Sequence, residues 1–292
     1  MITNYLSNAI VKGGVSPVFD NPKDYGLEYE DVMFKAKDGV LLSGWLIKGS
    51  TNKIIIQSHY GVQASRSGYT PKGKGMGKMW KNNISFLKHV KHLVEKGYSV
   101  LMYDFRNHGN SGEGTCPWVT WGPEEHKDVL AAVDYVSKHP DFKDAQIGLL
   151  SICMGAASST YAFGKKDGLQ NYDKVKAMVA IQPLRYPDFM KALGLDNFIG
   201  RGVTKKNNKR TGIDMNAVSF MPNVKDIAVP TLLVQNSNDE YLNKQSIEEF
   251  YAAMVVEKNM LWLDLEKKRA AGYDYLTKNP EKILYWFDKY MN

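Results

Sequence analysis

The sequence predicts an α/β fold: a mostly parallel sheet flanked by helices, with an antiparallel edge made by the N-terminal strands. Three observations carry this. Short β-branched runs alternate with segments of helical period, and strands joined through helices give right-handed crossovers and parallel pairing. Asp38-Gly39, a dipeptide that favours positive φ, joins two early strand-like runs as a hairpin. The chain has 292 residues, 43% of them hydrophobic and 24% charged, enough for a sizeable core without disulfide or metal staples. This composition excludes collagen-like, coiled-coil and disordered classes.

The hairpin strands are expected at 31–37 and 40–47. Lys53–Ser58 carries three consecutive isoleucines, which suits a strand buried on both faces. Segments 98–103, 146–150, 175–181 and 231–235 repeat that character, and 260–265 does so more weakly. Between them, 83–96 places Phe86, Leu87, Val90, Leu93 and Val94 at helical spacing, with Gly97 where a C-cap belongs. Segments 124–138, 246–256 and 281–291 are also amphipathic. The stretch 185–223 breaks the rhythm: rich in Asn, Lys and Gly and without a strand signal, it reads as an insertion over the carboxyl edge of the sheet or as a long surface loop with one or two short helices. The whole chain, 1–292, reads as one domain carrying this insertion.

The net charge of +7 comes from Lys rather than Arg: of 38 basic residues, six are Arg. Lys is scattered along the chain instead of gathered on one face, which argues against a nucleic-acid partner. Its densest groups, 72–81 and 205–210, are explained by loop solvation. Two cysteines, Cys116 and Cys153, imply no disulfide framework, and no His or Cys pair has metal-ligand spacing, so no metal or cofactor is expected. No apolar run approaches the ~18 residues of a membrane helix. The N-terminus lacks a signal-peptide pattern, so a cytoplasmic location is the default. A homodimer stays open. The run Gly73-Lys74-Gly75-Met76-Gly77-Lys78 lacks P-loop spacing and reads as a flexible loop. Trp80, Trp118 and Trp121 fit either a pocket lining or a core.

The strongest chemical signal is Leu149-Leu150-Ser151-Ile152-Cys153-Met154-Gly155-Ala156. An apolar strand runs into small-x-nucleophile-x-small and then a helix. Such a turn holds its central side chain above the sheet, and small residues two before and two after let the backbones approach. Cys153 occupies the nucleophile position. There the helix N-terminus favours a thiolate, and its free N–H groups, Met154 first, can hold an oxyanion.

With these residues in view, the chain resembles the α/β-hydrolase superfamily from about Asp31 onward. Ser58-His59-Tyr60-Gly61-Val62 is similar to the family's turn after the third strand, which implies a second oxyanion donor near Tyr60. Asp104-Phe105-Arg106-Asn107-His108-Gly109-Asn110-Ser111 resembles its D-x-R-x-H-G-x-S loop, and Asp128 takes the acidic position on the following helix. In that pattern His59 and His108 orient loops by hydrogen bonds. Cys at the elbow is similar to the dienelactone hydrolase branch. The resemblance also implies a triad acid after the seventh strand, where Asp239 ends the matching turn and Glu240 is the fallback.

The family's base departs from the pattern. The window 264–275 holds no His; the six His are at 59, 89, 92, 108, 126 and 139. By register Lys268 or Tyr273 takes the place. Lysine at its ordinary pKa cannot accept a proton, but a Cys nucleophile is less crippled than a Ser because part of it is thiolate at neutral pH. A salt bridge from Asp239 to Lys268 is the expected substitute. The sequence therefore implies acyl chemistry on a small ester, thioester or lactone: weak hydrolysis by Cys153, with Met154 and Tyr60 as oxyanion donors. The alternatives are an inactive relative that binds a small apolar ligand, and an acyltransferase.

Overall fold

Eight strands form one sheet in the spatial order β1-β2-β4-β3-β5-β6-β7-β8. They are β1 (Tyr29–Lys35), β2 (Leu41–Ile47), β3 (Lys53–Ser58), β4 (Ser99–Tyr103), β5 (Gln146–Ile152), β6 (Val175–Ile181), β7 (Thr231–Asn236) and β8 (Lys258–Leu263). The computed structural model describes residues 2–74 and 78–291. Gly75, Met76 and Gly77 of the glycine-rich run lie outside the described residues.

The expected hairpin is present. β1 and β2 pair antiparallel, with Gly39 at φ 93° in the turn between them, and β2 pairs antiparallel with β4. All remaining neighbours are parallel. β3 lies between β4 and β5, and Ile54, Ile55 and Ile56 are fully buried there, as a continuous apolar run requires. β8 has only one neighbour, and its Trp262 is exposed, which accounts for its weaker apolar signal.

Among the described residues nine helices surround the sheet: α1 (Ile2–Val11), α2 (Leu87–Glu95), α3 (His126–Lys138), α4 (Met154–Phe163), α5 (Tyr186–Ala192), α6 (Phe198–Thr211), α7 (Lys244–Ala253), α8 (Arg269–Lys278) and α9 (Glu281–Tyr290). α3 packs on α4; α2 packs on α8 and on β4; α9 lies against β6. A short antiparallel pair, Gly68–Tyr69 with Ile84–Ser85, stands apart from the sheet.

Two helices, α1 and α8, lie where the sequence reading placed no element. α5 and α6 occupy the segment expected as an insertion. α1 packs along α6, where Ser7 Oγ donates to Asn207 Oδ1 at 2.5 Å and Arg210 donates to Asn4 Oδ1 at 2.8 Å. α8 begins inside the window 264–275, five residues after Asp264. It is tied to the sheet through Asn236, whose Nδ2 donates to the Glu266 carbonyl at 3.0 Å, and Gln182, whose Nε2 donates to the Arg269 carbonyl at 2.9 Å.

Candidate active site

Strand β5 ends at Ile152 and α4 begins at Met154, leaving Cys153 alone in the turn. Its backbone is at φ 53°, ψ −103°, a strained conformation for a residue with a side chain. The strain is held in place. The Cys153 N–H donates to the Ile181 carbonyl at 2.8 Å, and its own carbonyl accepts from Ala157 N at 3.0 Å. Gly155 explains the small residue after the nucleophile position: a Cβ there would collide with the Ser58 carbonyl oxygen at the end of β3. Met154 is the first residue of α4, so its N–H has no acceptor inside the helix. A Cβ placed on Gly61 would come into van der Waals contact with the Met154 side chain, so the Tyr60 turn runs beside the elbow. The two backbone segments expected to hold an oxyanion thus meet next to Cys153.

The loop between β4 and α3 is fixed by buried charge. Asp104 accepts from the Arg66 guanidinium at 2.5 Å and from Asn110 N at 2.9 Å. Arg106 reaches Asp128 through Nε at 2.9 Å and Nη2 at 2.8 Å. His59 is committed within this scaffold: Nδ1 contacts the Tyr60 carbonyl at 2.6 Å, and Nε2 accepts from Phe105 N at 3.1 Å. His108 Nδ1 contacts the Arg106 carbonyl at 2.8 Å. Burial depresses both imidazoles below their ordinary range, for His59 reinforced by the neighbouring His108. His126 contacts the Pro123 carbonyl at 2.7 Å and is pushed down to about 4, first by burial and then by Lys165.

The structure corrects the reading of the missing base. Lys268 does not enter the site: its side chain is 57% exposed and pairs with Glu266 at 2.7 Å. Arg269, one residue on, points inward and is 2% exposed. The reason is local. Lys268 is extended and caps α8, so Arg269 is the first residue to turn with the helix toward the sheet. Its guanidinium donates to Asp239 Oδ2, to the Gln182 carbonyl oxygen and, through Nε at 2.6 Å, to the Tyr273 hydroxyl. Gly272 permits the approach, since a Cβ there would collide with the Gln182 side chain.

Asp239 is buried as well. Besides Arg269 it accepts from Tyr241 N at 3.0 Å and from Gln235 Nε2 at 3.2 Å. The Arg269 guanidinium and the Tyr273 phenol are both close enough to the Cys153 sulfur to feel its charge. Burial is the largest single influence on Arg269 and works against its charged form, but Asp239, Tyr273 and Cys153 together outweigh it and the guanidinium stays protonated. Burial raises the Tyr273 phenol well above its ordinary range, against the pull of Arg269. The order is Cys153, then Arg269 with Tyr273, then Asp239. A fixed cation stands where a proton acceptor is expected.

The thiol opens into a mostly apolar cavity of about 340 Å³. Its walls include Tyr60, Trp80, Trp121, Phe189 and Tyr241, and α1 contributes Leu6 and Ile10. Tyr60 stacks on Tyr273 with ring centroids 4.7 Å apart. Trp118 is elsewhere, under the Arg210 guanidinium at 4.1 Å. Glu240 lines a separate groove along α8. Among the described residues no group of three or more His, Cys, Asp or Glu could hold a metal, and no helix is long and apolar enough to cross a membrane.

A family model described as "alpha/beta hydrolase fold" matches residues 74–203, a span that includes the elbow. Esterase PF2001 of Pyrococcus furiosus superposes with a TM-score of 0.70 at 22% identity, covering 96% of this chain and 99% of that one. The chain has the α/β-hydrolase fold. Within that fold, dienelactone hydrolase of Anabaena variabilis superposes with a TM-score of 0.57 at 15% identity, covering 91% of this chain and 99% of that one. In sequence, the uncharacterized protein YfhR of Salmonella typhimurium is 24% identical over 258 residues, which span 84% of this chain and 77% of that protein.

Sequence reasoning missed Arg269. A general base must titrate near neutrality, and arginine never does. The usable signal was an Arg 30 residues past Asp239, closing the charged run Glu266-Lys267-Lys268 and directly followed by Ala270-Ala271. A buried guanidinium requires a carboxylate partner.

Proposed function

We propose that the protein performs acyl chemistry on a small ester or thioester with an apolar acyl group, using Cys153 as the nucleophile. The observation that carries this reading is the strained elbow thiol, open to an apolar cavity and flanked by the Asp239-bound guanidinium of Arg269. In this reading the guanidinium pairs with the thiolate form of Cys153 and removes the need for a base in the attacking step. The N–H of Met154 and one from the Tyr60 turn stabilise the developing oxyanion, a role for which a single donor is commonly worth ~3–4 kcal/mol. Asp239 and Tyr273 hold Arg269 in position. The esterase and dienelactone hydrolase neighbours support the reaction class through a shared fold only.

Hydrolysis is expected to be slow, because release of the acyl group by water calls for a general base. The test is intact-protein mass spectrometry after mixing with p-nitrophenyl octanoate or an octanoyl thioester. Acylation mapped to Cys153, and lost in Cys153→Ala, supports the proposal. Absence of any covalent adduct, with the same acyl compounds binding in the cavity, favours the second reading, a ligand-binding member of the fold. That reading rests on the replacement of a proton acceptor by arginine.

A further inference from the structure

The acceptor of the acyl group follows from what surrounds Cys153. We infer that the protein is a thiol-to-thiol acyltransferase: it takes an apolar acyl group from a thioester onto Cys153 and passes it to a second thiol in preference to water, alcohols or amines. This rests on the proposed nucleophilic role of Cys153 and adds the class of donor and acceptor.

Each group near the sulfur excludes a proton-transfer route. Arg269 has only donors and cannot take a proton. Tyr273 is buried, accepts from Arg269 Nε and keeps its own proton, so it can donate but does not act as a base at neutral pH. Asp239 is engaged by Arg269, Gln235 and the Tyr241 N–H, and the guanidinium stands between it and the thiol. His59 and His108 are bound to backbone partners in the β3 and β4 turns. No described side chain beside Cys153 can therefore activate a neutral water, alcohol or ammonium-derived amine.

A thiol needs no such help. With a pKa of ~8.5, roughly 3% of it is thiolate at pH 7. The reaction then balances without an enzyme base. Cys153 thiolate attacks the thioester carbonyl, the donor carbon–sulfur bond breaks, and the donor leaves as a thiolate that needs no protonation. An acceptor thiolate attacks the acyl-Cys153 carbonyl, the carbon–sulfur bond to Cys153 breaks, and the Cys153 thiolate returns to its partner Arg269. The acceptor loses its proton to solvent and the departing donor gains one from solvent. The fixed positive charge suits both half-reactions, because each begins and ends with one thiolate at the same position.

The test uses the full-length protein with octanoyl-N-acetylcysteamine as donor. 2-Mercaptoethanesulfonate, glycerol, glycine ethyl ester or buffer alone serves as acceptor, and products are quantified by mass spectrometry beside Cys153→Ala. Cys153-dependent transfer to the thiol should exceed release of octanoate by ~10²-fold or more, the scale on which a missing general base slows water. The transfer rate should also follow the acceptor: replacing 2-mercaptoethanesulfonate by a more acidic thiol should shift the rising limb of the pH profile down by the difference in thiol pKa. Acylation of Cys153 with octanoate as the main product, or with glycerol or amine served as well as thiol, overturns the inference and leaves Cys153 acyl chemistry standing. Failure to acylate Cys153 at all removes both.

Discussion

Removing the charge of Asp239 probes the arrangement most directly. The Asp239 and Arg269 side chains are 0% and 3% exposed, so Asp239→Asn leaves a guanidinium buried without its counter-charge. Breaking a buried pair on one side costs ~3–5 kcal/mol. At ~2 °C of melting temperature per kcal/mol for a chain of this size, the expected drop is roughly 6–10 °C. Arg269→Met also destabilises, because it orphans the Gln182 carbonyl, the Tyr273 hydroxyl and the Asp239 carboxylate together. Since both substitutions remove the same interaction, Asp239→Asn/Arg269→Met should be less destabilised than the sum of the singles, by ~2 kcal/mol. Differential scanning calorimetry of the four proteins completes the cycle. Lys268→Ala is the control: its exposed pair with Glu266 is worth at most ~1 kcal/mol, so its melting temperature should barely move. If Asp239→Asn melts with the wild type while Lys268→Ala falls, the charge partner of Asp239 has been assigned wrongly and the chemistry built on Arg269 goes with it.

Three further outcomes are expected. Iodoacetamide at neutral pH should label Cys153 before Cys116. Cys153 faces the cavity, whereas the Cys116 thiol is pushed up by burial and sits against the Trp118 carbonyl at 3.4 Å; peptide mapping that finds Cys116 labelled first refutes this. Gly155→Ala should cost ~1–3 kcal/mol by overpacking and abolish acylation of Cys153, because the added methyl forces α4 away from Ser58; the check is a urea melt beside the mass-spectrometric assay. His89 is fully buried against Gln57 Oε1 at 2.6 Å and burial pushes its imidazole down to about 3, so it stays neutral in the fold and gains a proton on unfolding. The unfolded chain binds the extra proton below about pH 6.5, so stability falls with pH by ~1.4 kcal/mol per pH unit from this group, or ~2 kcal/mol by pH 5. His89→Gln should flatten the urea-derived stability between pH 7 and 5 by that amount.

How much could be read from the chain alone depended on whether the physics was local. The isoleucines of β3, the Asp38-Gly39 turn and the strand–Cys153–helix elbow were legible because burial on both faces, positive φ and close backbone approach each leave a mark within a few residues. α1 also left such a mark: Ile2, Tyr5, Leu6, Ala9 and Ile10 follow the helical spacing, and several of them line the cavity. Read only for a targeting signal, the segment was not recognised as a helix. α8 was hidden by Gly272, which weakens a helix and is retained because Gln182 occupies the space of its side chain. Asp239 was reachable through the strand that precedes it. Arg269 was not, since its inward direction depends on where α8 begins and on acceptors in the turns that follow β6 and β7.

Cys153 and Arg269 make chemical sense only together. A serine hydroxyl beside a guanidinium would have nothing to take its proton, and the elbow would be inert. A cysteine beside an imidazole would have a base, and water would compete for the acyl group at every turnover. In the proposed reaction, with thiol and guanidinium combined, the charge at the site is fixed while the sulfur alternates between thiolate and acyl forms. The enclosing apolar walls strengthen that pairing by keeping solvent from screening it. In that proposal the same walls select an apolar acyl chain. On the proposed mechanism, arginine in the place of the base moves the burden of deprotonation from the protein to the acceptor, and the acidity of the acceptor becomes the main determinant of which molecules can take the acyl group.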